Sequence, residues 1–123
     1  EDPRHDFLPS TGRLLCWEEP RVDGVRWESG VETGSEVTIH YDPMLAKVIA
    51  HAPTRTEAAL RLAATLRRMR VHGVRTNVAL LDEILRHPAF LAGRTHTHFL
   101  ETELVPAGGP SAAELEADRF HAV

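Results

Sequence analysis

The sequence predicts an α+β domain in which a small, mostly antiparallel sheet in the first half is covered by two or three helices in the second half. Two observations predict this class. Residues 12–51 contain short segments with apolar side chains at alternate positions, separated by turn dipeptides such as Asp23-Gly24. Residues 54–87 carry apolar side chains at helical spacing instead. The 123 residues amount to one domain that is long enough to bury a core.

Four segments of the first half have the pattern of strands: residues 12–20, 22–31, 37–41 and 44–52. Asp42-Pro43 separates the last two, because proline has no N–H for a ladder and forces the preceding residue to be extended. The last segment is apolar on both faces and contains Val48 and Ile49. This pattern predicts a strand that is covered on both sides.

The first predicted helix begins after Thr54. Thr54 and Glu57 fit a capping box, in which the threonine side chain accepts from a backbone N–H of the first turn. A stripe of apolar residues then runs through 59–69 at helical spacing, with most arginines off the stripe. His72-Gly73 is predicted to end this helix.

A second helix and a short third turn are predicted after it. Thr76 is expected to cap the second helix, and His87-Pro88 is expected to end it. A short helical turn fits within residues 96–104. We expect the domain to span residues 1–105, and residues 106–123 to be a linker or the start of a following region.

Composition and charge exclude several classes of function. A net charge of -4 and a pI near 6.1 give no electrostatic case for a nucleic-acid partner, and no apolar run is long enough to span a membrane. The single cysteine, Cys16, is expected to be a packed thiol, which fits a cytoplasmic protein or, in a eukaryote, the mitochondrial matrix. His96 and His98 lack further ligands at suitable spacing, so no metal site is expected. These residues alone display no complete active site.

The only lysine of the chain, Lys47, lies within the apolar segment 44–52. An unpaired buried charge is costly, so we expect Lys47 to be structural and paired with a carboxylate, either Asp42 or one on an adjacent strand such as Glu28 or Glu32. Two alternatives stay open, a cofactor-carrying lysine and a catalytic amine. The first needs an exposed turn, and the second needs a neighbour that lowers the pKa of the amine.

Four segments, in this order, resemble the C-terminal domain of biotin carboxylase, which is the last domain of an ATP-grasp enzyme. They read EDP…FLPSTGRL, VRWESGVETGSEV, YDPMLAKVIAH and GVRTNVALLDEILRHPAF…G, and they cover about residues 1–104. The resemblance implies that the intact enzyme is a ligase that carboxylates biotin, consuming ATP and bicarbonate with Mg. It also implies the alpha chain of a biotin-dependent acyl-CoA carboxylase, for which this is the first reaction step.

The resemblance implies positions for site residues as well. The residues that bind phosphates, Mg and bicarbonate, and the arginine that stabilises the biotin enolate, are expected upstream of Glu1, so the chain alone is expected to be inactive. Thr97 is implied at the wall of the adenine pocket. Arg26 matches an arginine of a dimer interface and, with Trp27, is expected to form a contact surface. Asp23 stands where the family has an aromatic residue, so at most a weak homodimer is expected.

The implied partners are the other domains of biotin carboxylase, a biotin carboxyl carrier domain and a carboxyltransferase subunit. No cofactor is expected to bind the fragment itself. Two alternatives from other classes remain: a non-catalytic module that docks subunits, and a biotin or lipoyl carrier-type domain, which is less favoured because Lys47 has strand residues on both sides.

Overall fold

The computed structural model describes residues 2–3, 8–40 and 42–104. Within them the elements are β1 (Gly12–Arg13), β2 (Cys16–Glu18), β3 (Val25–Ser29), β4 (Glu36–Val37), β5 (Ala46–Ala50), α1 (Arg55–Arg68), β6 (Arg70–His72), α2 (Val78–Arg86), α3 (Pro88–Leu91) and α4 (Phe99–Glu103). The predicted α+β class, with short antiparallel strands first and helices second, is confirmed. The segment predicted to be a linker, 106–123, lies outside the described residues.

The strands pair as three separate antiparallel ladders: β1 with β4, β2 with β6, and β3 with β5. The strand β6 was not predicted. The first helix ends at Arg68 instead of at His72-Gly73, and Met69 turns the chain into an extended conformation. Residues 70–72 then pair with β2, with Cys16 opposite His72. This distant pairing supplies backbone partners that outweigh the local helical pattern.

The hydrophobic core lies between α1, α2 and the β3–β5 ladder. The predicted capping box begins α1, because Oγ1 of Thr54 accepts from the backbone N–H of Glu57 at 3.2 Å. The buried residues at the centre of the core are Ala59, Ala63, Leu66 and Leu85, and Trp27 and Val48 are among the half-buried side chains that pack against them. One cap prediction was wrong: Asn77, not Thr76, is the N-cap of α2. Thr76 lies one residue too early and accepts from Val78 N–H at 3.5 Å.

A carboxylate on α2 joins this helix to α1 through two arginines. Asp82 accepts from Nε of Arg67 at 2.9 Å and from Nε of Arg86 at 2.9 Å. Its side chain is 17% exposed, whereas that of Arg67 is 60% exposed. Partial burial raises the pKa of Asp82, but the hydrogen bonds and charges of the two arginines outweigh this effect and hold the pKa below its ordinary value.

We expect Asp82→Asn to lower the free energy of unfolding by about 1 kcal/mol at neutral pH. Because the pKa of Asp82 is depressed in the folded state, its contribution is fully present above the ordinary value of 3.8 and is lost as the pH falls through the folded pKa. Urea midpoints measured from pH 7 to pH 3 should therefore converge for the wild type and the variant at the acid end. Glu83→Gln, at an exposed neighbouring carboxylate, is the matched control. A difference that stays constant down to pH 3 would contradict this origin of the stability.

Candidate functional site

Charged side chains lie on the outer face of the β3–β5 ladder. In the register of this ladder, Arg26 lies opposite Ile49 and Glu28 lies opposite Lys47. Nε of Arg26 is 3.0 Å from Oε1 of Glu28, and these side chains are 69% and 53% exposed. Lys47 is exposed as well. The outer face is therefore a solvated surface of mixed charge.

The burial predicted for Lys47 is wrong. Side chains alternate across β5, so Val48 packs against the core and Lys47 points to solvent. No ion pair in the described part of the chain joins Lys47 to Asp42. Oδ1 of Asp42 instead accepts from the backbone N–H of Met44 at 2.8 Å. The carboxylate that the register brings opposite Lys47 is Glu28, one of the alternatives on adjacent strands.

For this reason we expect Lys47→Met to change the free energy of unfolding by no more than about 1 kcal/mol. A buried ion pair would cost about 3–5 kcal/mol when one partner is removed. Urea midpoints of Lys47→Met, Glu28→Gln and the double variant separate the pair's own contribution from the effect of each single change. A loss of 3 kcal/mol or more for Lys47→Met would show that its amine is buried and paired after all.

The position of Lys47 also bears on the carrier alternative. A carrier lysine must be presented at a turn so that the attached group can swing between sites. Lys47 lies within a ladder, paired in register with Glu28 and followed by three half-buried residues. This position argues against a biotin or lipoyl carrier-type domain.

Arg26 and Trp27 lie on opposite faces of β3. The indole of Trp27 packs against the α1–α2 core, and its Nε1–H donates to the carbonyl of Pro20 at 3.3 Å. The prediction that the two residues form one exposed contact surface is therefore wrong. Neighbouring residues of a strand point to opposite sides, so only Arg26 is available to a partner on the outer face.

Thr97 lies in an exposed turn between α3 and α4. The turn is held on both sides: Nδ1 of His96 accepts from the His98 backbone N–H at 3.3 Å, and Nδ1 of His98 is 2.9 Å from Oε2 of Glu101. Phe99 follows, only 6% exposed, with its ring edge-on to three neighbouring rings. The hydroxyl of Thr97 is thus presented to solvent on an anchored turn.

An apolar groove opens between α1, α2 and β5. It has a volume of about 230 Å³. Its lining consists of Ala46, Val48, Leu62, Leu66, Leu81, Ile84, Leu85 and Phe90. The groove was not predicted, although the two-sided apolar pattern of 44–52 was a signal that β5 needs cover on more than one side.

Two further kinds of site, a metal centre and a membrane-spanning helix, have no counterpart in residues 2–3, 8–40 and 42–104. No three His, Cys, Asp or Glu side chains come together there so as to hold a metal ion. Among the helices of the same residues, none is long and apolar enough to cross a bilayer. The described residues define a class of protein first: a small α+β domain with a charged outer face and an apolar groove.

One family model matches most of this chain. The family model described as the biotin carboxylase C-terminal domain matches residues 1–102. The chain belongs to the biotin carboxylase C-terminal domain family, as the four sequence segments predicted.

Among relatives, the mitochondrial propionyl-CoA carboxylase alpha chain of Homo sapiens is 43% identical over 110 residues, which are 88% of this chain and 15% of the relative. The biotin carboxylase of Halalkalibacterium halodurans is 39% identical over 104 residues, which are 85% of this chain and 23% of the relative. This chain therefore spans less than a quarter of the length of either relative.

Solved structures agree with this assignment. The biotin carboxylase domain dimer of 2-oxoglutarate carboxylase from Hydrogenobacter thermophilus, in complex with MgADP and bicarbonate, matches with a TM-score of 0.79 at 35% identity, over 82% of this chain and 22% of that one. Pyruvate carboxylase from Rhizobium etli matches with a TM-score of 0.79 at 39% identity, over 83% of this chain and 10% of that one.

Proposed function

We propose that this chain is the C-terminal domain of a biotin carboxylase whose intact form carboxylates biotin with ATP, bicarbonate and Mg. The observation that carries the proposal is the family match over residues 1–102. The likeness to a biotin carboxylase domain in complex with MgADP and bicarbonate supports it. The catalytic residues and the sites for biotin and Mg are assigned to other parts of the enzyme, so the chain alone is inactive.

Within that enzyme, Thr97 contributes to the wall of the adenine pocket. Its exposed position on a turn anchored by Phe99 supports this role, because a rigid turn can hold a side chain in place against a flat base. No other residue of the described part is assigned to ligand binding.

The parent enzyme is, in this proposal, an acyl-CoA carboxylase alpha chain. Support comes from the identity to the human propionyl-CoA carboxylase alpha chain, 43%, against 39% to the bacterial biotin carboxylase. The partners are then a biotin carboxyl carrier domain, reached through residues 106–123, and a carboxyltransferase subunit. The enzyme acts in the cytoplasm or, in a eukaryote, in the mitochondrial matrix.

A docking role for the outer face of the β3–β5 ladder is the second candidate function. Arg26 is 69% exposed there, and arginine is favoured at protein interfaces. Because Asp23 stands where the family has an aromatic residue, we expect the chain to self-associate weakly at most. Light scattering should show a mass that falls to the monomer value on dilution. A tight dimer that persists in Arg26→Glu would contradict this assignment.

The main proposal is tested with a chimera. Residues 1–104 of this chain replace the corresponding domain of the Halalkalibacterium halodurans biotin carboxylase. The same enzyme truncated before that domain, and this chain alone, are the controls. We expect the chimera to hydrolyse ATP in a reaction that requires both bicarbonate and free biotin, and both controls to be inactive. A folded chimera without biotin-dependent hydrolysis would contradict the proposal.

A further inference from the structure

His87 lies where α2 ends and α3 begins, and its backbone serves both helices. Its N–H donates to the carbonyl of Ile84 at 3.0 Å, and its carbonyl accepts from the Leu91 N–H at 3.0 Å. The side chain takes part as well, because Nδ1 accepts from the backbone N–H of Ala89 at 3.3 Å. The imidazole therefore caps α3, in the place that serine, threonine, asparagine or aspartate usually takes.

The same imidazole also contacts α4. Its ring meets that of Phe99 edge-on, with the centroids 5.6 Å apart and the planes at 86°. Because Nδ1 accepts a hydrogen bond, the neutral ring carries its proton on Nε2. Nε2 lies 3.9 Å from Oε2 of Glu103, the last residue of α4, so this N–H is close to a carboxylate. One side chain, 23% exposed, thus joins the start of α3 to both ends of α4.

The connection between these two helices is the segment that carries Thr97. It consists of residues 92–98. Ala89 and Phe99, which His87 contacts on the two helices, are each only 6% exposed, so the contacts are made inside the packed part of the domain. A binding side chain on a loop is held in place only when supporting residues fix the elements on both sides of it. His87 meets this requirement, since it bridges the helix before Thr97 and the helix after it.

We propose that His87 is a positioning residue for the wall of the adenine pocket: by bridging α3 and α4, it fixes the turn that presents Thr97. The inference rests on the proposed function, which assigns Thr97 to that wall. The bridge requires the whole ring, whereas a helix cap alone requires only an acceptor at the position of Nδ1. Substitution can therefore separate the positioning role from a local role in the stability of α3.

His87→Asn keeps the cap and removes the bridge. The side-chain oxygen of asparagine can accept from the Ala89 N–H in place of Nδ1, but the shorter side chain has no ring to meet Phe99. In the chain alone, we expect the Ala89 amide of this variant to remain protected from hydrogen exchange. We expect the NMR order parameter of the Thr97 amide to fall from about 0.85 to below about 0.6. An unchanged order parameter at Thr97 would overturn the proposal.

The effect on nucleotide binding is tested in the chimera described above. KM for ATP and kcat of the biotin-dependent hydrolysis are compared for the chimera, its His87→Asn variant and a matched control, His51→Asn, at an exposed histidine. We expect His87→Asn to raise KM about 5–10-fold and to change kcat less than about twofold, because a turn that is ordered for only a fraction of the time weakens binding by that fraction. An unchanged KM in His87→Asn, or an equal rise in His51→Asn, would overturn the proposal.

The two proposals can fail separately. A chimera without biotin-dependent hydrolysis contradicts the proposed function, whereas the order parameter of Thr97 in the chain alone still decides whether His87 fixes the turn. An active chimera in which His87→Asn keeps both a rigid turn and the original KM for ATP contradicts only the role of His87.

Discussion

The substitution Gly73→Ala is expected to destabilise this domain severely. Gly73 follows β6 and has a φ of +106°, where a residue with a side chain is strained. A Cβ there would overlap the carbonyl oxygen of Arg13 and lie 2.9 Å from the backbone N of Leu15. Both are backbone atoms, and Leu15 N–H donates to the carbonyl of His72 at 2.8 Å, so they cannot move aside without breaking the contact between β2 and β6.

The expected loss for Gly73→Ala is more than about 4 kcal/mol, because the backbone strain and the steric overlap add. A small domain has only about 5–15 kcal/mol in total, so a loss of this size would remove a large part of its stability. Far-UV circular dichroism with urea titration measures this. Gly30→Ala is the matched control, since a Cβ there would meet only Leu45 O, at an ordinary distance of 3.7 Å. A cooperative transition of Gly73→Ala at the wild-type midpoint would contradict the expectation.

Leu66→Ala is expected to cost about 2–5 kcal/mol, the second largest effect. Leu66 is 4% exposed and lies in the core between α1 and α2. It also lines the apolar groove, so the space left by the missing atoms would join an existing opening that neighbouring side chains cannot close.

Leu60→Ala on the same helix is the matched control for this prediction. Leu60 is 40% exposed, and the same atoms removed there should cost less than about 1 kcal/mol. The urea midpoints of the two variants, at equal slopes, give the comparison. Equal losses at positions 60 and 66 would mean that the core does not lie between α1 and α2 as described.

Features set by neighbouring residues could be predicted from the sequence, and features set by distant pairing could not. The start of α1 follows from Thr54 and Glu57, which lie within one helical turn. The strand β6 depends on β2, with Cys16 and His72 far apart in the chain. The need for glycine at position 73 has the same origin, because the atoms that exclude a side chain belong to residues 13 and 15.

The candidate site shows a related limit. Alternation along β5 indicated that Lys47 and Val48 lie on opposite faces, but an apolar pattern on both sides did not indicate which face packs against the helices. The same alternation is sufficient to place Arg26 and Trp27 on opposite faces of β3. For Asp82, the spacing to Arg86 is a sequence signal, whereas the contact with Arg67 requires α1 and α2 to be packed.

The most direct test of the central claim compares the biotin carboxylase chimera with its Gly73→Ala variant. The claim is that residues 1–104 form a working C-terminal domain of a biotin carboxylase. Release of ADP is followed with bicarbonate in the presence and absence of free biotin. The predicted result is biotin-dependent release by the chimera and much less by the variant, whose domain is destabilised by the side chain added at position 73. A chimera that shows a protected β3–β5 ladder but releases ADP at the same rate with and without biotin would contradict the claim.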